Sequence, residues 1–339
     1  MYYGSAIMTE RVLVTGGAGF IGGWLTRALL ARGMQVCVLD DLSTGSLENV
    51  PKSADLDLHQ GSVCDARDVQ DAAEGCSLII HMAGLTGMRL AHSLKREAYS
   101  IASNGTATVL DSSTADTPVV LVSSSAVYGL TEQGQVSEST DITETSVCSY
   151  DGGEVGYAAG KWRLEGLGRE AAASGRPVLI LRPFNVIGPG QSPRYGMVLP
   201  SFVKLAMRND NLCVYDHGKQ TRSFCDVRTF CDVLLRLSFS EQAWAVPARA
   251  VNIGSPNQIS IRQLAEMVIE EAGSESEITY QPYSQVFPGR TDVAHRAPNT
   301  QLLEALLGRP DWLDVRAIVR ETLASKRQPG SRWSAHRSS

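Results

Sequence analysis

The 339-residue chain is 43% hydrophobic and 20% charged, an ordinary globular composition that excludes a wholly disordered chain, a collagen-like repeat and a disulfide-rich miniprotein. Its 31 Lys/Arg against 36 Asp/Glu give a net charge of −5, without the basic surplus of a phosphate-backbone binder, so no nucleic acid is expected as a partner. No apolar run approaches the roughly 20 residues of a membrane span; the seven scattered cysteines form no CxxC pair and the six histidines no HxxxH or His/Cys cluster. No membrane, disulfide framework or metal is therefore expected, and a start without a basic-then-apolar leader points to the cytoplasm.

RVLVTG at 11–16 reads as a buried strand and 20–32 as a helix with Ile21, Leu25, Ala28 and Leu29 on one face and Gly33 as its C-cap. Between them, TGGAGFIG places Gly16, Gly19 and Gly22 directly after a strand and at the opening of a helix. In that context Gly16 permits the tight turn, Gly19 lets the backbone approach a pyrophosphate, and Gly22 lets helix and strand pack closely. The helix start at Phe20 and Ile21 offers N–H groups and a positive dipole end to the anion. A second strand, 34–40, ends in Asp40, placed to accept the hydroxyls of an adenosine ribose and to repel a 2′-phosphate. The following Asp41-Leu42-Ser43 brings no arginine, so NAD is favoured over NADP, and Asp41 is read as a turn acid.

Residues 78–82, 118–123 and 177–183 are further strands, and the long connections between them imply βαβ units and a parallel sheet. The texture changes after about 188: VNIGS at 251–255 reads as a late strand returning to the sheet, and 261–272 as a helix behind Ser260. The polar, basic 326–339 reads as a tail.

Tyr157 and Lys161 stand at i and i+4, on one face of a helix. A tyrosine near pKa 10 is a poor base at neutral pH, and a lysine one turn away, with the positive nicotinamide of NAD⁺, would lower it. Tyr150 is the rival tyrosine, but position 154 is Glu and supplies no lysine. SSSAVYG follows the strand at 118–123; Ser124, at the C-terminal end of a parallel strand, faces the ligand crevice and can hydrogen-bond the reacting oxygen.

TGGAGFIG, VLDDLSTG, HMAG at 81–84, SSSAVYG, YAAGK, LRPFNVIGPG, GKQTRSF at 218–224, VNIGS and GRTDV at 289–293 together resemble the extended short-chain dehydrogenases/reductases of the nucleotide-sugar epimerase/dehydratase family, over residues about 11 to 310. The resemblance implies an α/β fold: a Rossmann-like doubly wound parallel sheet with a smaller C-terminal α/β substrate domain. The implied division is 9–190 for NAD, with 225–255 returning to it, 191–325 mainly for substrate, and flexible ends at 1–8 and 326–339. It implies Tyr157 as the base for the sugar 4-hydroxyl, Lys161 on the nicotinamide ribose and Ser124 on the 4-oxygen. Ser43, Ser62, Val63, Met82, Ala83, Gly84, Ser123 and Pro183 join the glycine loop and Asp40 around the cofactor. Ser125, Asn185, Arg222, Arg290 and Asp292 fall to a nucleotide sugar, UDP-linked by expectation, the arginines because a diphosphate suits guanidinium forks. A homodimer through helix 157–173 and the helix near 96–113 is also implied.

The chain departs from the family in places. Dehydratases resemble TDEVYG and uronate decarboxylases TSEVYG, whereas Ser125 and Ala126 stand at those two positions here. That removes the acid/base pair of a 4,6-elimination. Ala102, Ser62, Ser223 and Thr229 replace a family Asn and three acids. Tyr157 lies 33 residues beyond Ser124, behind the unusual Tyr150-Asp151-Gly152-Gly153-Glu154, where Asp151 or Glu154 is a candidate displaced acid/base. The leading expectation is NAD-dependent C4 epimerisation of a UDP-sugar through a 4-keto intermediate. The alternatives are a decarboxylase or other 4-keto-forming enzyme on a substrate such as UDP-glucuronate, and, from another class, a non-catalytic NAD- or nucleotide-sensing protein.

Overall fold

The computed structural model describes residues 11–131, 134–153 and 155–327. Seven strands form the main sheet: β1 Arg11–Thr15, β2 Gln35–Asp40, β3 Leu56–Gln60, β4 Leu78–His81, β5 Val119–Val122, β6 Val178–Pro183 and β7 Arg249–Ile253. Their order is β7-β6-β5-β4-β1-β2-β3, and every neighbouring pair is parallel. The order reverses between β1 and β4, which opens a crevice at the C-terminal strand ends, where such sheets bind ligands.

Both faces of the sheet are covered, so its strands read as continuous apolar runs instead of alternating ones. Val12, Val14, Val36 and Val38 pack on one face with Leu25 and Leu29 of α1 (Phe20–Leu30). Leu13, Cys37, Leu39 and Ile79 pack on the other with Val109 of α2 (Lys95–Ser112) and Leu164 of α3 (Tyr157–Ala173). On the first face the helix α4 (Val227–Ser238) adds Phe230 and Leu234.

A second core gathers Leu199, Phe202, Leu212 and Phe224 with Leu264 and Val268 of α5 (Ile261–Ala272) and Ile318 and Leu323 of α6 (Val315–Arg327). A four-stranded sheet, Gln258–Ser260, Thr221–Ser223, His295–Pro298 and Gln135–Val136 in that order, stands beside it. The last of these strands comes from the first half of the chain, and Leu303, late in sequence, packs in the first core. The two halves therefore interleave.

Several local expectations are met and some shift. Ser260 caps α5 in a reciprocal box, its Oγ accepting from Gln263 N at 3.1 Å and its N donating to Gln263 Oε1 at 2.8 Å. α1 stops at Leu30 with Ala31 as C-cap, because Ala31 is still right-handed and the left-handed residue, Gly33 at φ +75°, comes two later. The late strand runs 249–253 rather than 251–255. β3, polar on an edge, has no counterpart among the strands read from residues alone. Lys326 and Arg327 end a helix instead of beginning a tail; the expected flexible residues 1–8 and 328–339, and Glu154, lie outside the described residues.

Candidate active site

A cleft of about 410 Å³ opens over the β1/β4 reversal, and every residue expected above to bind cofactor, bind substrate or catalyse lines it, from Gly16 to Asp292, apart from Glu154, which lies outside the described residues. At one end stands the glycine loop. Gly16 has φ +74°, and a Cβ there would meet Ala83 Cα at 2.9 Å; a Cβ on Gly22 would stand 2.2 Å from the Gly16 carbonyl oxygen. No side chain caps α1 at Gly19, so its first N–H groups stay available to an anion. Asp40 Oδ2 accepts from Ala18 N and Oδ1 from Leu42 N, both at 2.9 Å. Two such bonds leave a carboxylate with acceptor capacity for a ribose. Burial raises its pKa, against the pull of the two amides. This donor and acceptor set fits a dinucleotide. Asp41 is the turn acid, its Oδ1 accepting from Ser43 N at 2.9 Å and Ser43 Oγ at 2.6 Å. Ser62 is held by its N–H to Asp68 Oδ2 at 2.7 Å.

A buried chain not foreseen from sequence ties β1 to β4. Thr15 Oγ1 lies 2.8 Å from His81 Nδ1, and His81 Nε2 lies 3.1 Å from Thr106 Oγ1. Thr15 Oγ1 also accepts from the Met82 and Ala83 amides at 3.2 Å each, fixing that wall of the cleft. Burial, then the charge of Lys161, pushes His81 down to about 3, so the ring is neutral.

Ser124, Tyr157 and Lys161 converge. Ser124 ends the segment after β5, its Oγ accepting from Ala126 N at 3.1 Å, and it lines the cleft together with the Tyr157 phenol. Tyr157 is the first residue of α3 and Lys161 lies one turn on, its Nζ donating to Val122 O at 2.7 Å. Burial lowers Lys161 to about 8, against the pull of Glu165. The expected lowering of Tyr157 is not found in the chain by itself. Burial pushes the phenol up to about 12; Ser124 pulls it down, and Tyr150 and Asp151 push it further up.

At the other end, three arginines line the cleft, two of them over the Tyr150 ring. Arg222 pairs with Asp292, Nη2 to Oδ1 at 2.6 Å, and Arg290 Nε donates to Tyr150 O at 3.0 Å with its Nη2 4.0 Å from Asp151 Oδ1. Arg296 was not singled out from sequence. It sits beside Arg222 in register on the neighbouring parallel strand and donates through Nη2 to Gly129 O. Its Nε is buried without a hydrogen-bond partner, and among the described residues no carboxylate forms an ion pair with it. Burial lowers its pKa. Asn185, at φ +30°, spends Nδ2 on Ser223 O at 2.8 Å. Asp151 is a cap rather than a free acid: its Oδ2 accepts from Ala158 N at 2.8 Å and Ala159 N at 3.2 Å, amides in the first turn of α3, whose N-cap residue, Gly156, has no side chain to cap them. Ser125 and Ala126 line the cleft next to Ser124 and bring no carboxylate there.

The family model described as the NAD dependent epimerase/dehydratase family matches residues 12–254. A UDP-N-acetyl-alpha-D-glucosaminuronate decarboxylase of Bacillus cytotoxicus is 29% identical over 307 residues, 88% of this chain and 92% of that protein. UDP-glucuronic acid decarboxylase 2 of Arabidopsis thaliana is 31% identical over 309 residues, 88% of this chain and 64% of that protein. Among solved structures, the UDP-glucose 4-epimerase of Thermus thermophilus in complex with NAD superposes with a TM-score of 0.80 at 26% identity, over 94% of this chain and 99% of that one. The fold and the cofactor agree with the sequence reading, while the names of the two curated relatives match its alternative chemistry better than its leading one.

Proposed function

Because the chain belongs to the NAD-dependent epimerase/dehydratase family, we propose that it oxidises C4 of a UDP-linked uronic acid and releases the C6 carboxylate as carbon dioxide. The observation that carries this is Arg296. Arg222 and Arg290 each pair with a carboxylate of the chain, whereas Arg296 forms no ion pair among the described residues and feels Asp292, already paired with Arg222, only at longer range. A buried guanidinium of this kind is costly unless a ligand anion completes it. A diphosphate sugar suits Arg222 and Arg290; a further carboxylate on the sugar suits Arg296. The decarboxylase names of two relatives, each matched over 88% of this chain, support the same chemistry.

When bound, NAD would supply the acceptor and donor of the C4 hydride. Gly16, Gly19 and Gly22 would seat its pyrophosphate, Asp40 its adenosine ribose and Lys161 its nicotinamide ribose. Tyr157 takes the proton of the 4-hydroxyl through its phenol oxygen, and the Ser124 hydroxyl holds the 4-oxygen in line. A phenol this buried becomes a base only beside positive charge, so proton removal is confined to the loaded site. The C6 carboxylate then lies β to a ketone, and the C5–C6 bond breaks without a side-chain base, which accords with Ala126.

A second reading, C4 epimerisation, is favoured by the same Ser125 and Ala126, which leave the site equipped to remove and return a single proton. Incubating the holoenzyme with UDP-glucuronate, its 2-acetamido analogue and UDP-glucose separates the two. A product lighter by one carbon dioxide supports the decarboxylase, and a product of unchanged mass supports the epimerase. The homodimer belongs to the same proposal, with α2 and α3, which pack on each other, as its expected contact surface; light scattering reads it directly.

A further inference from the structure

Tyr150 lines the same cleft as Ser124 and Tyr157, and the mechanism above leaves it unused. Its ring is held between two cations, Arg290 Cζ at 4.9 Å and Arg296 Cζ at 4.8 Å from the centroid. Arg296, Tyr150 and Tyr157 all line this cleft. The position is built. Arg290 grips the Tyr150 carbonyl, and the next residue, Asp151, is anchored to the start of α3.

Loss of carbon dioxide from a β-keto acid breaks the C5–C6 bond and leaves its electron pair in the C5–C4–O4 enolate. C5 must then gain a proton before the sugar ketone can be reduced. Ala126 cannot supply one. We propose that Tyr150 does: its O–H donates to C5, the enolate returns to the 4-ketone, and the phenolate left behind is stabilised by Arg290 and Arg296 until solvent reprotonates it. This rests on the decarboxylase reading. It gives the two tyrosines successive tasks, Tyr157 at O4 before carbon dioxide leaves and Tyr150 at C5 afterwards.

The test runs the NAD-loaded enzyme on UDP-glucuronate and its 2-acetamido analogue in D₂O, following carbon dioxide, NADH absorbance and the C5 protons of the product. Wild type should release carbon dioxide and place deuterium in one of the two C5 positions. Tyr150→Phe keeps the ring between the arginines; it should still form NADH, but turn over about 10²–10⁴-fold more slowly and label both C5 positions. Tyr157→Phe should form neither NADH nor carbon dioxide. Single-sided labelling at near wild-type rate in Tyr150→Phe would overturn the assignment of Tyr150 while leaving the decarboxylase reading intact. A wild type that releases no carbon dioxide overturns both.

Discussion

Glu165 and Arg182 form a buried two-pronged pair beneath the catalytic residues, Arg182 Nε to Oε1 at 2.8 Å and Nη2 to Oε2 at 2.7 Å, with both side chains 2% exposed or less. Ser123 Oγ donates to the same carboxylate at 2.7 Å, and Arg182 Nη1 donates to Tyr128 OH at 2.9 Å, which in turn donates to Asn252 Oδ1 at 2.7 Å. The network ties α3 to β5, β6 and β7. Burial alone would push Glu165 up; Arg182 and Ser123 hold it below its ordinary value, so it is anionic. Glu165→Gln strands the guanidinium and should cost about 3–5 kcal/mol in urea unfolding. A loss under about 1 kcal/mol would mean the pair is not buried as described.

Lys161 is lowered from 10.5 to about 8, chiefly by burial. Between those values the unfolded chain binds a proton that the folded chain does not, so unfolding free energy should rise with pH across that window. Below 8 both states are protonated and the slope vanishes. Lys161→Met should remove this rise, read as unfolding free energy at several pH values for the two proteins. Parallel curves would contradict the burial of the amine.

Asp151 has two separable effects. As the acceptor for Ala158 N and Ala159 N it caps α3, and Asp151→Ala should lose about 0.5–2 kcal/mol of stability. Its charge pushes Tyr157 up, so removal should move the alkaline-rising limb of the rate toward lower pH. Asp151→Asn keeps an acceptor and should recover most of the stability while retaining the shifted limb. Should Asn restore the wild-type pH profile as well, Asp151 acts on Tyr157 by shape alone.

Gly22 has no room for a methyl group: its Cβ would stand 2.2 Å from Gly16 O and 2.6 Å from Gly17 Cα. Gly22→Ala must open the loop that seats the pyrophosphate, so the purified variant should carry no NAD and gain no thermal stabilisation when NAD is added. Normal binding would place the cofactor elsewhere.

The sheet and the glycine loop were legible because their signals are local. Strands covered on both faces are apolar throughout, and GxxGxxG between a strand and a helix is read within eight residues. β3 escaped because, on the edge, it is open to solvent, with Asp57, Leu58 and Gln60 exposed, and its polar Asp57, His59 and Gln60 break the apolar run. α6 carries Val315, Ile318, Val319 and Leu323 at helical spacing, so its signal was present and its charged end was mistaken for tail. Arg296, Tyr150 and the capping role of Asp151 were not legible. Their meaning lies in contacts between distant segments, Arg290 to Tyr150 across 140 residues and Arg296 to Gly129 across 167. Sequence marked the residue types, but not which arginine would be left without a carboxylate.

The most direct measurement is the mass of the product formed from UDP-glucuronate or its 2-acetamido analogue by the NAD-loaded enzyme, with Tyr157→Phe alongside. The account predicts a UDP-sugar lighter by one carbon dioxide from wild type and unchanged substrate from Tyr157→Phe. A product of unchanged mass but altered C4 configuration, or turnover by Tyr157→Phe, would contradict it.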